Sequence, residues 1–163
     1  MNAPARFVAW LSSNVHRDQR FGHIYRYHPR SDAHSVTLCT YILEDLLDRC
    51  PILQEQASRG EVAYGINLRY IWPTTQKSKT LDLAVGRPAS PTGSNKMVRV
   101  SKLSYVFIAC EAKSVMTEHG KSQPRVYDEL SSSHEIVHQG QPDAIAAGIT
   151  VVNIAKTFVS PLR

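Results

Sequence analysis

The chain has 163 residues and a formal net charge of +5, and 42% of its residues are hydrophobic. One domain covering 1–163 fits this length, and the apolar fraction can fill a core, which excludes a disordered polyelectrolyte. No apolar run is long enough for a membrane span or a secretory signal, and the three cysteines lie in apolar stretches, so we expect a reduced, cytoplasmic protein without a membrane partner.

Residues 1–31 are predicted to form an N-terminal arm in which arginine and histidine alternate with aromatic residues, with a helix over 5–13. Basic residues interleaved with aromatic ones can contact the phosphates and bases of a nucleic acid. Together with the positive net charge, this arm is compatible with a polyanionic partner.

The clearest helix is predicted over 33–50. Asp32 or Ser35 can cap its start, Pro51 ends it, and a short second helix over 52–59 follows. One face of the longer helix repeats apolar residues at the spacing of three and four that buries a helix, namely Cys39, Ile42, Leu43, Leu46, Leu47 and Cys50.

Strand patterns dominate the rest of the chain. Strands are predicted over 62–72, 79–85 and 97–115, followed by a helix over 123–138 and a buried strand over 145–155. The resulting α-β-β-β-α-β order predicts an α/β protein with a mixed central sheet of about four strands flanked by helices. Because the chain ends soon after a strand, it is also compatible with a piece of a longer protein.

Three charged residues interrupt the apolar strands. Asp82 lies in the middle of the second strand, and Glu111 and Lys113 near the end of the third share one face because side chains alternate along a strand. If these strands pair antiparallel, Asp82 can face Glu111. Two close carboxylates favour a hard divalent cation such as Mg²⁺, completed by a strand carbonyl and waters, and Lys113 can hold a water or steady a phosphate.

An aspartate in one strand and Glu111-Ala112-Lys113 closing the next, inside this element order, resemble the PD-(D/E)xK nuclease superfamily, which includes restriction endonucleases. The resemblance covers roughly residues 33–156, although Leu81 stands where proline is typical. It implies that Asp82 and Glu111 are ligands of Mg²⁺, with Mn²⁺ able to substitute. It further implies that Ala112 offers its carbonyl to the metal and that Lys113 is the catalytic lysine.

Many members of the superfamily add an acid from the first helix, and Glu44 is the candidate here, with Asp45 and Asp48 as rivals. Gln123 and Tyr127 match a Q-x-x-x-Y pattern that is similar to one in helicase-associated exonucleases, which would bring them to the site from one helix face. Their helix is expected to begin near Pro124, after a loop.

We therefore expect a Mg²⁺-dependent endonuclease of type II restriction kind, which acts on double-stranded DNA and for which a homodimer is an open option. The alternatives are a repair, recombination or phage exonuclease of the same superfamily, or a DNA-binding module without activity. A zinc site is disfavoured, because His23, His28 and His34 lack companion motifs and His134 with His138 lack a third ligand. The expected phosphate contacts are Arg69, Lys77, Lys79, Arg87, Lys96, Arg99, Lys102, Lys121 and Arg125.

Overall fold

A computed structural model of the protein describes residues 1–13, 32–116 and 118–154, together with two short strands at His16–Arg17 and Ile24–Tyr25. The elements are α1 (Ala3–Ser13), β1 (His16–Arg17), β2 (Ile24–Tyr25), α2 (Ala33–Arg49), α3 (Pro51–Ser58), β3 (Ala63–Ile71), β4 (Ser78–Pro88), β5 (Leu103–Val115), α4 (His119–Gly140) and β6 (Ile145–Val152). Among the described helices, none has the length and apolar character needed to cross a membrane.

The main sheet has four strands in the order β3-β4-β5-β6, and β1 pairs with β2 as a separate antiparallel ribbon. In the main sheet β3 with β4 and β4 with β5 are antiparallel, whereas β5 with β6 is parallel. The parallel pair requires a crossover, which α4 supplies. The predicted α/β class with a mixed four-stranded sheet and helices is therefore confirmed.

The core has one layer on each face of the sheet. On one face α2 and α3 pack their apolar residues against β3, β4 and β5, with Cys39, Leu43, Leu83 and Cys110 all buried. On the other face the side chains centre on Trp72, which is fully buried, and include residues of α4 and β6 or its approach. The sheet is thus covered on both sides, as an α/β architecture requires.

A local distortion of β3 and β4 affects the position of Asp82. The ladder pairs Ile66 with Leu83 and Leu68 with Leu81, and between these pairs Asn67 adopts a φ of 51°, in the left-handed region that asparagine tolerates. Leu81 and Leu83 consequently contribute to different core layers, although side chains two residues apart in a regular strand share a face. Asp82 lies where the strand changes faces.

The start of α2 differs from the prediction in detail. Asp32 occupies the N-cap position, but its side chain makes no capping hydrogen bond, and the Ser35 hydroxyl donates to the Asp32 carbonyl instead. The helix ends at Arg49, and Pro51 opens α3 at a position where proline is well tolerated. The rest of the predicted N-terminal arm, apart from α1, β1 and β2, lies outside the described residues.

The largest differences from the predicted boundaries lie at the starts of β5 and α4. The third strand was expected from residue 97, but β5 begins at Leu103, because the Tyr64 amide donates to Val98 and the Val100 amide to Tyr64, which joins this segment to the edge of β3. Helix α4 begins at His119, inside the expected loop, so Pro124 lies within the helix and not in its first turn.

Candidate active site

The two strands that carry the charged residues separate at one end of their ladder. Leu83 pairs with Cys110, and beyond that pair β5 continues in register with β6, with Glu111 opposite Gly148. The remaining residues of β4, from Ser78 to Leu81, pair with β3. We call the gap between residues 78–82 of β4 and residues 111–115 of β5 the strand opening.

Asp82 lies at the point where the strand opening begins. Its Oδ2 accepts a hydrogen bond from the backbone amide of Ala112 at 2.7 Å. Burial raises the pKa of Asp82, and the negative charge of Glu111 adds to this, whereas the Ala112 amide and the two lysines Lys113 and Lys79 oppose it. The Asp82 carboxylate therefore contacts the peptide group that joins Glu111 to Ala112.

Glu111 is a buried carboxylate at the floor of the strand opening. Its residue is 7% exposed, and its Oε1 lies 2.7 Å from the Lys113 ammonium. Its Oε2 lies 3.7 Å from the Lys79 ammonium, which is an ion-pair distance, and within the described structure this buried oxygen has no hydrogen-bond partner. A buried carboxylate oxygen without a hydrogen bond is rare in native proteins and is a typical place for a ligand.

Lys113 is held by two acids. Besides Glu111, its ammonium contacts Glu129 of α4 at 3.1 Å, so the lysine bridges strand and helix. Burial alone would lower the pKa of Lys113, but the hydrogen bonds to Glu111 and Glu129 outweigh it and the pKa is raised. Lys113 is therefore a charged donor and not a proton acceptor in this arrangement.

Two residues of this site were not assigned to it from the sequence. Lys79 was expected only as one of many phosphate contacts, and nothing in the sequence singled out Glu129. The pairing of Lys79 with Tyr70 in the β3–β4 hairpin places it beside the strand opening. Glu129 reaches the opening only because α4 crosses back over the sheet, which no local sequence pattern reports.

Glu44 is not brought to Asp82 and Glu111; its carboxylate pairs with Arg6 of α1. Asp45 accepts hydrogen bonds from the Ala3 amide and from Arg6, each at 2.7 Å, and the Ala3 bond is the main reason that the pKa of Asp45 is lowered. Asp48 is exposed. The expectation of a first-helix acid in the site is therefore not met within the described residues, because this face of α2 holds α1.

Cys39 is the residue of α2 that lies near the two carboxylates. Burial raises its pKa to about 12, and Cys110, Asp82 and Glu111 add to the shift. The pKa of Cys110 is likewise raised to about 11, chiefly by burial. Both thiols are thus protonated and inert at neutral pH, and they supply apolar packing under the site.

The Q-x-x-x-Y residues are divided between solvent and a cavity. Gln123 is exposed, and among the described residues of α4 it is Glu129, six positions further on, that reaches Lys113. Tyr127 is 71% exposed but lines a cavity of ≈ 560 Å³ between α4 and the sheet, beside Glu111 and Gly148. The structure therefore does not bring Gln123 to Asp82 and Glu111, where the resemblance implied that it lies.

The strand opening supplies two carboxylates as possible ligands of a metal ion. Across residues 1–13, 32–116 and 118–154, no group of three or more histidine, cysteine, aspartate or glutamate residues is placed to hold one. Asp82 and Glu111 supply two carboxylates, and the hydrogen-bond capacity of Glu111 Oε2 is unused. Two carboxylates fit Mg²⁺, which usually keeps several waters and binds through one or two carboxylates.

The described histidines do not form a zinc site. The rings of His134 and His138 lie 4.3 Å apart on α4, without a third ligand. His34 is buried beside the rings of Phe7 and Trp10. His23 and His28 lie outside the described residues.

No protein-family model matches this chain, and no curated protein and no solved structure is significantly similar to it. Its function is therefore inferred from the residues of the strand opening themselves.

Proposed function

We propose that the protein is a Mg²⁺-dependent endonuclease that hydrolyses phosphodiester bonds of double-stranded DNA in the manner of a type II restriction enzyme. The order of the elements α2, β3, β4, β5, α4 and β6 supports this proposal. With α3 added after the first helix, it resembles the α-β-β-β-α-β order expected for the PD-(D/E)xK nuclease superfamily. The proposal places the protein in the cytoplasm, where it would meet DNA.

The observation that carries the proposal is the cluster of Asp82, Glu111 and Lys113 at the strand opening. Asp82 contacts the peptide after Glu111, and Lys113 contacts Glu111 directly. Acids of this kind are costly to bury, and a fold that concentrates them beside two lysines favours a bound cation and a bound anion over a purely structural role.

Asp82 and Glu111 would hold the cation, with the Ala112 carbonyl as a third protein ligand. The Ala112 amide points to Asp82, and in an extended strand the amide and carbonyl of one residue point to the same side, which directs that carbonyl toward the strand opening. When bound, Mg²⁺ would offset the charge that develops on the phosphate and lower the pKa of a coordinated water.

Lys113 would act as a charged donor to the phosphate or to the attacking water. Its ammonium already lies within hydrogen-bond distance of two carboxylates, so it needs no large movement to reach a group bound at Glu111. An ammonium fixed in this position stabilises negative charge in the transition state without reorganising at the moment of reaction.

The exonuclease alternative depends on Gln123 and Tyr127 both lining the site. Tyr127 borders the cavity beside Glu111, whereas Gln123 is exposed, which favours the endonuclease. The module without activity is favoured if the two acids lie too far apart to share a cation. The contact of Asp82 with the peptide after Glu111 weighs against it.

A cleavage assay on supercoiled and linear double-stranded DNA tests the proposal. We expect the wild type to cut in Mg²⁺ or Mn²⁺ and not in EDTA, and Lys113→Ala to lower the rate about 100-fold or more, as does loss of a single donor in other active sites. Arg59→Ala is the control for the loss of one positive charge, because Arg59 follows α3, is not among the expected phosphate contacts, is 58% exposed and pairs with Glu55.

Discrete products from both substrates would support the endonuclease, and progressive shortening from the ends of linear DNA would support the exonuclease. Metal-independent DNA binding without cleavage would support the module without activity. Equal cleavage rates for Lys113→Ala and Arg59→Ala would overturn the assignment of Lys113. Cleavage that persists in EDTA would overturn the role of the metal.

A further inference from the structure

Glu129 is the residue of α4 that reaches the strand opening. It lies between Val126 and Leu130, two residues that turn toward the sheet, and its side chain is 40% exposed. Its Oε2 lies 3.1 Å from the Lys113 ammonium, and its Oε1 lies 3.9 Å from Arg125. Glu129 thus contacts the proposed catalytic lysine directly.

Lys113 and a bound cation would compete for the carboxylate of Glu111. The Lys113 ammonium lies 2.7 Å from Glu111 Oε1, so it occupies one side of the carboxylate that would hold the cation. A divalent cation at Glu111 would repel this ammonium, because two positive charges would then share one partly buried carboxylate. Without a second acid, the displaced lysine would either exclude the cation or leave the site.

We propose that Glu129 is a positioning residue that retains the Lys113 ammonium when a cation takes over Glu111. This inference rests on the function proposed above. Because Glu129 already contacts Lys113, the lysine can shift its ion pair from the strand carboxylate to the helix carboxylate and remain beside the scissile phosphate. The cation then gains the full carboxylate, and the lysine stays available as a donor.

The geometry distinguishes this role from simple docking of the helix. α4 already packs on the sheet through apolar residues such as Val126 and Val137, both of them buried. A partly exposed ion pair adds little to such packing, because water screens the attraction between its charges. The contact of Glu129 with Lys113 is therefore expected to matter more for cation binding and catalysis than for folding.

The test compares Glu129→Gln with Asp128→Asn, a matched loss of one negative charge at the neighbouring, exposed position of α4. Mn²⁺ binding to the metal-free protein is measured by electron paramagnetic resonance without DNA. We expect Glu129→Gln to weaken Mn²⁺ binding about 5- to 10-fold, the loss that corresponds to one ion pair of about 1 kcal/mol. Asp128→Asn is expected to change it less than about 2-fold.

The same pair of variants is compared in the Lys113→Ala background and in DNA cleavage. Without Lys113 there is no ammonium to relocate, so Glu129→Gln is then expected to have no larger effect on Mn²⁺ binding than Asp128→Asn. With Lys113 present, Glu129→Gln is expected to lower kcat about 10-fold while KM for DNA does not rise, because it removes an interaction needed only in the reacting complex.

The outcomes separate this inference from the proposed function. A wild type that neither binds Mn²⁺ nor cuts DNA would overturn the proposed function and this inference with it. If the wild type does both, and Glu129→Gln changes Mn²⁺ binding and cleavage no more than Asp128→Asn does, the role of Glu129 alone is overturned. If Glu129→Gln weakens Mn²⁺ binding equally in the presence and in the absence of Lys113, the proposed role of Glu129 is also overturned, because Glu129 would then act directly on the cation.

Discussion

Asp82 carries a charge in the strand opening that is partly removed from water. Its carboxylate is half-buried, and burial together with the charge of Glu111 raises its pKa. An acid whose pKa is raised in the folded protein destabilises the fold when it is ionised. The Ala112 amide offsets part of this cost.

We expect Asp82→Asn to raise the melting temperature of the metal-free protein at pH 7. Asparagine can accept the same Ala112 hydrogen bond through its amide oxygen and carries no charge to desolvate. The destabilisation by ionised Asp82 develops as the pH rises above the ordinary aspartate pKa of about 3.9. The gain from Asp82→Asn is therefore expected to vanish at pH values below it, which a series of thermal melts in EDTA would measure.

Asp45→Asn is the opposite control. The pKa of Asp45 is lowered, chiefly by the Ala3 amide, so its ionised form stabilises the fold and this contribution is lost as the pH falls through the folded pKa. We expect this variant to melt lower than wild type at pH 7 and to converge with it in acid.

Saturating Mg²⁺ is expected to raise the melting temperature of the wild type but not that of Asp82→Asn. A lower melting temperature for Asp82→Asn in EDTA would contradict our account of Asp82.

The residues of the site were predictable from the sequence to the extent that their chemistry is local. Asp82 interrupts an apolar strand, and Glu111 and Lys113 share a face by strand alternation, so their juxtaposition needed only the pairing of β4 with β5. Glu129 and Glu44 depended on tertiary packing. The first reaches the site across a crossover, and the second is turned to Arg6, and neither arrangement leaves a mark on local periodicity.

At the scale of the elements, the sequence predicted the helices and strands of residues 32–154 correctly in kind, and its errors lie where backbone contacts compete. Residues 98–100 have a strand pattern but pair with the edge of β3 and not with β4. Helix α4 extends into a polar segment that has no apolar period. In both places long-range hydrogen bonds or packing decide the boundary, and amphipathic patterning does not report them.

The β4–β5 ladder also depends on a glycine, which gives a test of the element that carries the site. At Gly86 the register of the two strands shifts, and a Cβ placed there would lie 1.9 Å from the Tyr105 carbonyl oxygen. Backbone cannot yield as a flexible side chain does, so we expect Gly86→Ala to destabilise the protein by about 3 kcal/mol or more. Denaturant unfolding would measure this loss.

Gly120 provides the matched substitution. It lies in the first turn of α4, and a Cβ there would meet nothing within 4 Å. Alanine has the higher helix propensity, so Gly120→Ala is expected to be neutral or to stabilise by up to about 1 kcal/mol. If Gly86→Ala unfolded at the same denaturant concentration as Gly120→Ala, this result would contradict the close approach of β4 to β5 at Gly86.

The molecule as a whole carries a net charge of +5, whereas the strand opening has no excess of positive charge. Asp82, Glu111 and Glu129 face two lysines, Lys79 and Lys113, so this group is not basic by itself. DNA binding without a metal must then depend on basic residues around the opening. Arg125 is the nearest candidate, because it lies 3.9 Å from Glu129 and is 69% exposed.

We expect the affinity for duplex DNA in EDTA to fall steeply with salt, because each phosphate contact releases a bound counterion. Arg125→Ala should flatten the plot of log affinity against log salt concentration by roughly 1, as loss of one phosphate contact does. Lys96 is a phosphate contact expected from the sequence, but it is exposed in the loop that lies against Gly60, near the opposite end of β3 from Lys79. Lys96→Ala removes an equal charge there and should leave the slope unchanged. Fluorescence anisotropy at several salt concentrations would measure both slopes. Equal slopes for the two variants would mean that DNA is attracted by net charge alone, and a flatter slope for Lys96→Ala would place the DNA at the other end of the sheet, away from Asp82 and Glu111.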